Sequence, residues 1–196
     1  MFLKNNRIFY LFVFFIFSFQ VEVLSKEDKI FFIKSYLSEL RNFSASFIQD
    51  DGFEISEGKI YIGDRKVRAE YKKPSEILII LYKKKGMYFN YELEEDEYFD
   101  PKDTPARFFY DIFFNLDFFN NAELIEKNNS IVLKKMGNID SDGFTLEIFF
   151  EDNPLIIRRV ELLLNDEYMS LSFFDHKYNE EFNENFFRLI NPNFLN

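Results

Sequence analysis

The chain has 196 residues, a formal charge of −10 at pH 7, 20% aromatic residues (29 Phe, no Trp) and no cysteine. That acidic balance argues against nucleic acid or an anionic membrane surface as a partner, because both are gripped through basic patches. The missing cysteines exclude a disulfide framework and a thiol nucleophile, so an apolar core alone must hold the fold.

Residues 1–25 read as a cleaved export signal: Lys4 and Arg7 form a basic start, and Ile8 to Phe19 form an apolar run. Val23-Leu24-Ser25 supplies the short residues of a cleavage site. The run is too short to span a bilayer, which takes about 20 residues. Its removal takes away Lys4, Arg7 and Glu22, a net +1, so the charge moves from −10 to −11. The remaining 26–196 suits one domain with one core. No cysteine follows the signal to carry a lipid anchor, so the expected location is the periplasm, in soluble form.

The first predicted element is a helix over 27–41, where Ile30, Ile33, Leu37 and Leu40 recur at spacings of three and four. Strand-like segments follow at Phe43–Gln49, Lys59–Ile62, Lys66–Tyr71, Glu76–Tyr82 and Met87–Tyr91. Short turn-forming connectors separate them, which predicts an antiparallel meander. Val67, Ala69 and Tyr71 alternate with Arg68, Glu70 and Lys72, whereas Ile77 to Tyr82 is apolar on both faces, as a strand covered on both sides would be. The acidic run Glu92–Glu97 does not match an EF-hand loop and reads as a solvated loop or strand end. Thr104-Pro105 reads as a helix start, Thr as cap and Pro first, with a Phe-rich helix running to about Leu116. Strands are expected at Ile131–Leu133 and Phe144–Phe150, then a hairpin of Ile156–Leu164 and Tyr168–Phe174 turning at Asn165-Asp166-Glu167. The sum is one α+β domain with a long antiparallel sheet and helices gathered on one side.

Catalytic equipment is sparse. One histidine, His176, lies beside Asp175 in a loop-like stretch and reads as a solvated polar pair. No Gly-x-Ser-x-Gly elbow is present, and six glycines leave little for phosphate-binding loops. Zinc lacks a second histidine and any cysteine. No enzymatic activity, metal or cofactor is expected. What stands out is the apolar sheet, which is either ordinary core or a surface for something apolar.

Several short motifs occur in order: Tyr36-Leu37-Ser38-Glu39-Leu40, Phe47-x-Gln49, Gly58-x-Ile60, Arg68-x-Glu70-Tyr71-x-x-Pro74, Ile79-Ile80, Tyr88-Phe89-x-Tyr91 and Thr104-Pro105-Ala106. With them the chain resembles the LolA family of periplasmic lipoprotein carriers over essentially all of 26–196. Asn185-Phe186-Phe187 with Pro192 is similar to that family's closing strand. Two departures stand out. Gly63-Asp64-Arg65 replaces a common Arg-Pro-Gly turn, so that Arg65 or Arg68 would have to supply the basic residue that helps close the lid. Ala69 stands where an aromatic is usual.

The resemblance implies an incomplete, strongly curved antiparallel barrel with helices as a lid over a hydrophobic cavity. It implies acylated lipoproteins as cargo, with an inner-membrane lipoprotein-releasing ABC transporter and an outer-membrane lipoprotein receptor as partners, and a monomer as working unit. On this basis the acyl cavity is expected to use Phe47, Ile60, Ile62, Val67, Ala69, Leu78, Ile80, Phe89 and Tyr91 from the sheet. Phe109, Ile112 and Phe113 would come from the lid, and Arg68 would act as its gate. Two alternatives remain open. One is the outer-membrane receptor of the same fold, which should carry a lipid-modified cysteine; the other is a periplasmic lipid- or lipoprotein-sensing regulatory module.

Overall fold

The computed structural model describes residues 25–139 and 142–194; the expected export signal, apart from Ser25, lies outside them. Helix α1 spans Lys26–Glu39. Ser25, which the sequence reading leaves with the signal, is its N-cap. Its hydroxyl accepts from Asp28 N at 3.2 Å, and the Asp28 carboxylate accepts from Ser25 N at 3.3 Å. This capping box satisfies two amides that would otherwise be orphaned at the helix start. Ile33, Leu37 and Leu40 are buried as their spacing predicts. Polar contacts fix the helix to the rest of the chain: Lys29 pairs with Glu126, Lys34 donates to Asn120 at 3.0 Å, and the Tyr36 hydroxyl accepts from Ile157 N at 3.1 Å.

The strands are β1 (Phe43–Asp50), β2 (Ile55–Gly63), β3 (Lys66–Lys73), β4 (Ile77–Leu81), β5 (Gly86–Asn90), β6 (Glu95–Phe99), β7 (Glu123–Lys127), β8 (Ser130–Ile139), β9 (Asp142–Glu151), β10 (Ile156–Leu164) and β11 (Glu167–Lys177). They form one antiparallel sheet in the order β6-β5-β4-β3-β2-β1-β11-β10-β9-β8-β7. Two meanders are therefore joined where β1 pairs with β11, and the sheet stays open between β6 and β7. The β10–β11 hairpin turns through Asn165 and Asp166, both with positive φ (51° and 65°), as a tight hairpin turn requires. Both open edges carry charge along their length, Glu95, Asp96 and Glu97 on β6 and Glu123, Glu126 and Lys127 on β7. Charged edges discourage edge-to-edge pairing with other chains.

Helix α2 (Ala106–Phe114) lies between two 3₁₀ turns, Pro101–Asp103 and Leu116–Phe119. Thr104 is extended, as a cap should be, but its hydroxyl donates to Pro101 O at 3.1 Å instead of capping α2. A helix of nine residues is marginal alone, so packing must hold it. Phe108, Ile112 and Phe113 are buried in the core that α1, α2 and the inner face of the sheet share.

The register fixes which residues look inward. Val67, Ala69 and Tyr71 pair with Leu81, Ile79 and Ile77 on the helix-facing side. Leu78 and Ile80 therefore face outward, paired with Phe89 and Met87, and these four make a second buried cluster with Tyr82 and Leu189. The cover on that outer face is the C-terminal segment beyond β11. Phe187 is buried over Gly63, where an added Cβ would meet its ring at 2.6 Å. Tyr82 and Tyr98 donate their hydroxyls to Phe187 O and Leu189 O at 3.0 and 3.4 Å, and Asn191 donates to Asp96 at 2.8 Å. The closing strand expected at Asn185-Phe186-Phe187 is thus absent; those residues form a turn in a strap laid across the sheet.

Candidate functional site

A cavity of about 160 Å³ lies between the inner face of β1–β4, β11 and the first turn of α2. Its floor is Phe47, Ile60, Val67, Ala69, Ile79 and Leu81; Met169 and Leu171 come from β11, and Pro105, Ala106 and Phe109 form the roof. Gly58 makes room for the floor, because a Cβ there would stand 2.5 Å from the Phe47 ring. Phe47 in turn packs edge-on against Tyr71, with ring centroids 5.0 Å apart.

Only Gln49 and Tyr71 bring side-chain nitrogen or oxygen to this lining. The Tyr71 hydroxyl donates to Gln49 Oε1 at 2.8 Å. Burial pushes that hydroxyl up to about 12, so it stays a protonated donor across the physiological range. The cavity abuts a wider groove of about 600 Å³, lined by Phe53, Leu162, Leu164 and Tyr168 with the acids Asp51, Asp166 and Glu167. Gln49, Pro105 and Met169 belong to both voids and form the sill between them. Phe53 stands 99% exposed at the groove. It is presented on a turn in which Asp51 Oδ1 accepts from Phe53 N and Glu54 N at 2.9 and 2.8 Å.

Of the residues expected in an acyl cavity, Phe47, Ile60, Val67, Ala69 and Phe109 line this one. Ile62, Ile112 and Phe113 are buried in the same core but behind its walls. Leu78, Ile80 and Phe89 belong to the opposite face, under the C-terminal strap, and Tyr91 packs edge-on against Phe89 at 4.8 Å. Arg68 is likewise misplaced for a gate. It faces outward, bonded through Nε and Nη2 to Glu70 Oε1 at 2.6 Å, with Nη1 donating to Phe186 O at 2.6 Å. Its guanidinium also lies 4.5 Å from the Phe186 ring, so it fastens the strap. Burial pushes the Tyr110 hydroxyl of α2 up; the charge of Arg65, in the β2–β3 turn at φ 54°, opposes this, while Asp111 and Asp64 reinforce it. Eight lining residues fall outside the expected set, Gln49, Tyr71, Ile79 and Met169 among them. Strand parity from Ala69 through the β3–β4 register would have found Ile79.

His176 sits within β11, not in a loop, and its Nε2 lies 2.8 Å from Ile157 O, with the ring 5.6 Å from that of Phe43. Burial holds its pKa below 6.5, with the charge of Arg158 pushing the same way. The depressed value means that below pH 6.5 the unfolded chain takes up a proton that the folded chain refuses. Stability is therefore expected to fall as pH drops through 6.5 toward the folded value. Chemical denaturation at pH 7.5 and 5.5 checks this, and His176→Gln should flatten that part of the pH dependence.

No family model matches the chain, and no curated protein matches it. Among solved structures, its fold is similar to an uncharacterized conserved protein from Thermus thermophilus, with a TM-score of 0.55 at 11% identity, covering 84% of this chain and 94% of that one. It is also similar to a chain of the MucA/MucB complex of Pseudomonas aeruginosa, with a TM-score of 0.52 at 12% identity, covering 84% of this chain and 61% of that one. At these identities the likeness is one of fold alone.

Proposed function

We propose that this protein is an exported carrier that takes up the acyl chains of lipoproteins in the cavity under α2 and delivers them to an acceptor. The observation that carries the proposal is the cavity itself, an apolar void with five of the expected residues around it and a short, Phe-rich helix as its roof. Burying acyl methylenes is worth about 0.8 kcal/mol each, so a chain of roughly 16 carbons gains on the order of 12 kcal/mol in membrane and carrier alike. Transfer then turns on small differences, which a lid of modest opening cost supplies.

The present void is smaller than typical ligand pockets of about 300–1,000 Å³. Uptake therefore requires α2 to lift, joining the cavity to the groove beyond Gln49. The two 3₁₀ turns that bound α2 are suited to act as hinges. The LolA-like motifs and the periplasmic location expected from the export signal support this reading. A protein-binding regulatory module is the second reading, supported by the presence of this fold in the MucA/MucB complex.

Incubating residues 25–196 with spheroplasts is expected to release acylated lipoproteins into the soluble fraction in a complex with the protein. If the folded protein releases none, the carrier reading is wrong.

A further inference from the structure

We propose that Gln49 selects for acyl chains linked as neutral esters or amides over free fatty acids. The inference rests on the carrier reading and deepens it. Gln49 stands at the sill shared by cavity and groove, where an aliphatic tail lodged inside would meet its polar linkage. Tyr71 occupies Gln49 Oε1, which fixes the amide and leaves the two Nε2 hydrogens with no bonding partner among the described residues. The side chain is carried by β1, paired with Ser56 on one side and Leu171 on the other, so it is held by the sheet and not by a loop.

The chemistry of this position favours a neutral acceptor. An uncharged amide donor in an apolar neck satisfies one carbonyl oxygen. A carboxylate there would lose its water for a single neutral hydrogen bond, which leaves most of its desolvation uncompensated. The groove beyond repels the same carboxylate, since Asp51, Asp166 and Glu167 line it. No basic side chain lines either void to offset this. An ester or amide carbonyl meets neither penalty.

The test is displacement of a bound apolar dye from residues 25–196 by monopalmitoylglycerol, palmitate and hexadecane at pH 8. The wild-type protein is expected to bind the glyceride at least about tenfold more tightly than palmitate, given the cost of stripping a carboxylate. Gln49→Glu keeps an acceptor for Tyr71 and replaces the donor by a second acceptor. It should lower the glyceride-to-hexadecane affinity ratio about fivefold to tenfold, as loss of one hydrogen bond does. Gln49→Leu should lower the ratio similarly, with circular dichroism reporting whether Tyr71 tolerates the loss of its partner. An unchanged ratio in a folded Gln49→Glu protein, or wild-type binding of palmitate equal to that of the glyceride, overturns the proposal while leaving the carrier reading intact. Failure of the wild-type protein to bind dye, glyceride or hexadecane overturns both.

Discussion

Ala69→Phe is expected to abolish acyl uptake while the protein stays folded. Ala69 is the one small side chain on the cavity floor from β3, facing Ile79 across the pair and the α2 roof above. The void of about 160 Å³ is close to the 150 Å³ or so that holds a benzene molecule. A Phe ring from position 69 therefore fills it, and strain from an imperfect fit typically costs about 1–3 kcal/mol. Titration with an acyl probe should show affinity falling at least tenfold, alongside a cooperative thermal transition. Undiminished affinity would mean that acyl chains bind elsewhere.

Removing residues 178–196 is expected to have the larger effect on stability. The strap buries Phe187 and partly buries Phe182, Phe186 and Leu189, and it covers Leu78, Ile80, Met87 and Phe89. At about 1.5–3 kcal/mol for each fully buried side chain, the loss is comparable with the total stability of about 5–15 kcal/mol of an ordinary domain. The truncated chain should aggregate or lose protection in β4 and β5, as hydrogen exchange would report. Arg68→Leu is the milder probe. It deletes the bonds to Glu70 and to Phe186 O in a setting where the Arg68 side chain is only 14% exposed. A loss of about 2 kcal/mol is expected from such charge-assisted bonds. Acyl uptake should be unaffected, because Arg68 lies on the face away from the cavity. Slowed uptake in a stable Arg68→Leu protein would restore the gate role.

The pattern of legibility in the sequence follows from burial. Strands buried on one face announced themselves: Val67, Ala69 and Tyr71 alternate with Arg68, Glu70 and Lys72, and the sheet places them as that alternation requires. In β4, by contrast, Ile77 to Leu81 is apolar at every position, so period two assigns no face. That is why Leu78 and Ile80 were expected in the cavity and Ile79 was not. The double-sided greasiness does signal a second cover, but the strand does not say which segment supplies it: the strap comes from the far end of the chain. The edge strands are hard to read for the opposite reason: β6 is Glu-Asp-Glu-Tyr-Phe, within reach of the acidic run read as a loop or strand end, and β7 buries only Leu124, so neither carries an apolar alternation. Gln49 is legible as a strand residue and as part of a motif, but its place at the sill depends on Met169 of β11, 120 residues along the chain.

The opposing faces of β4 also lead to the decisive measurement. A palmitoylated peptide carrying a diazirine at the end of its acyl chain, bound to residues 25–196 and photolysed, reports by mass spectrometry which residues the chain end touches. Labelling is expected at the cavity positions Ile60, Ala69, Ile79 and Phe109. Labelling of Leu78, Ile80 or Phe89 on the strap side, or of the exposed Phe31 and Phe32 of α1, would contradict that placement.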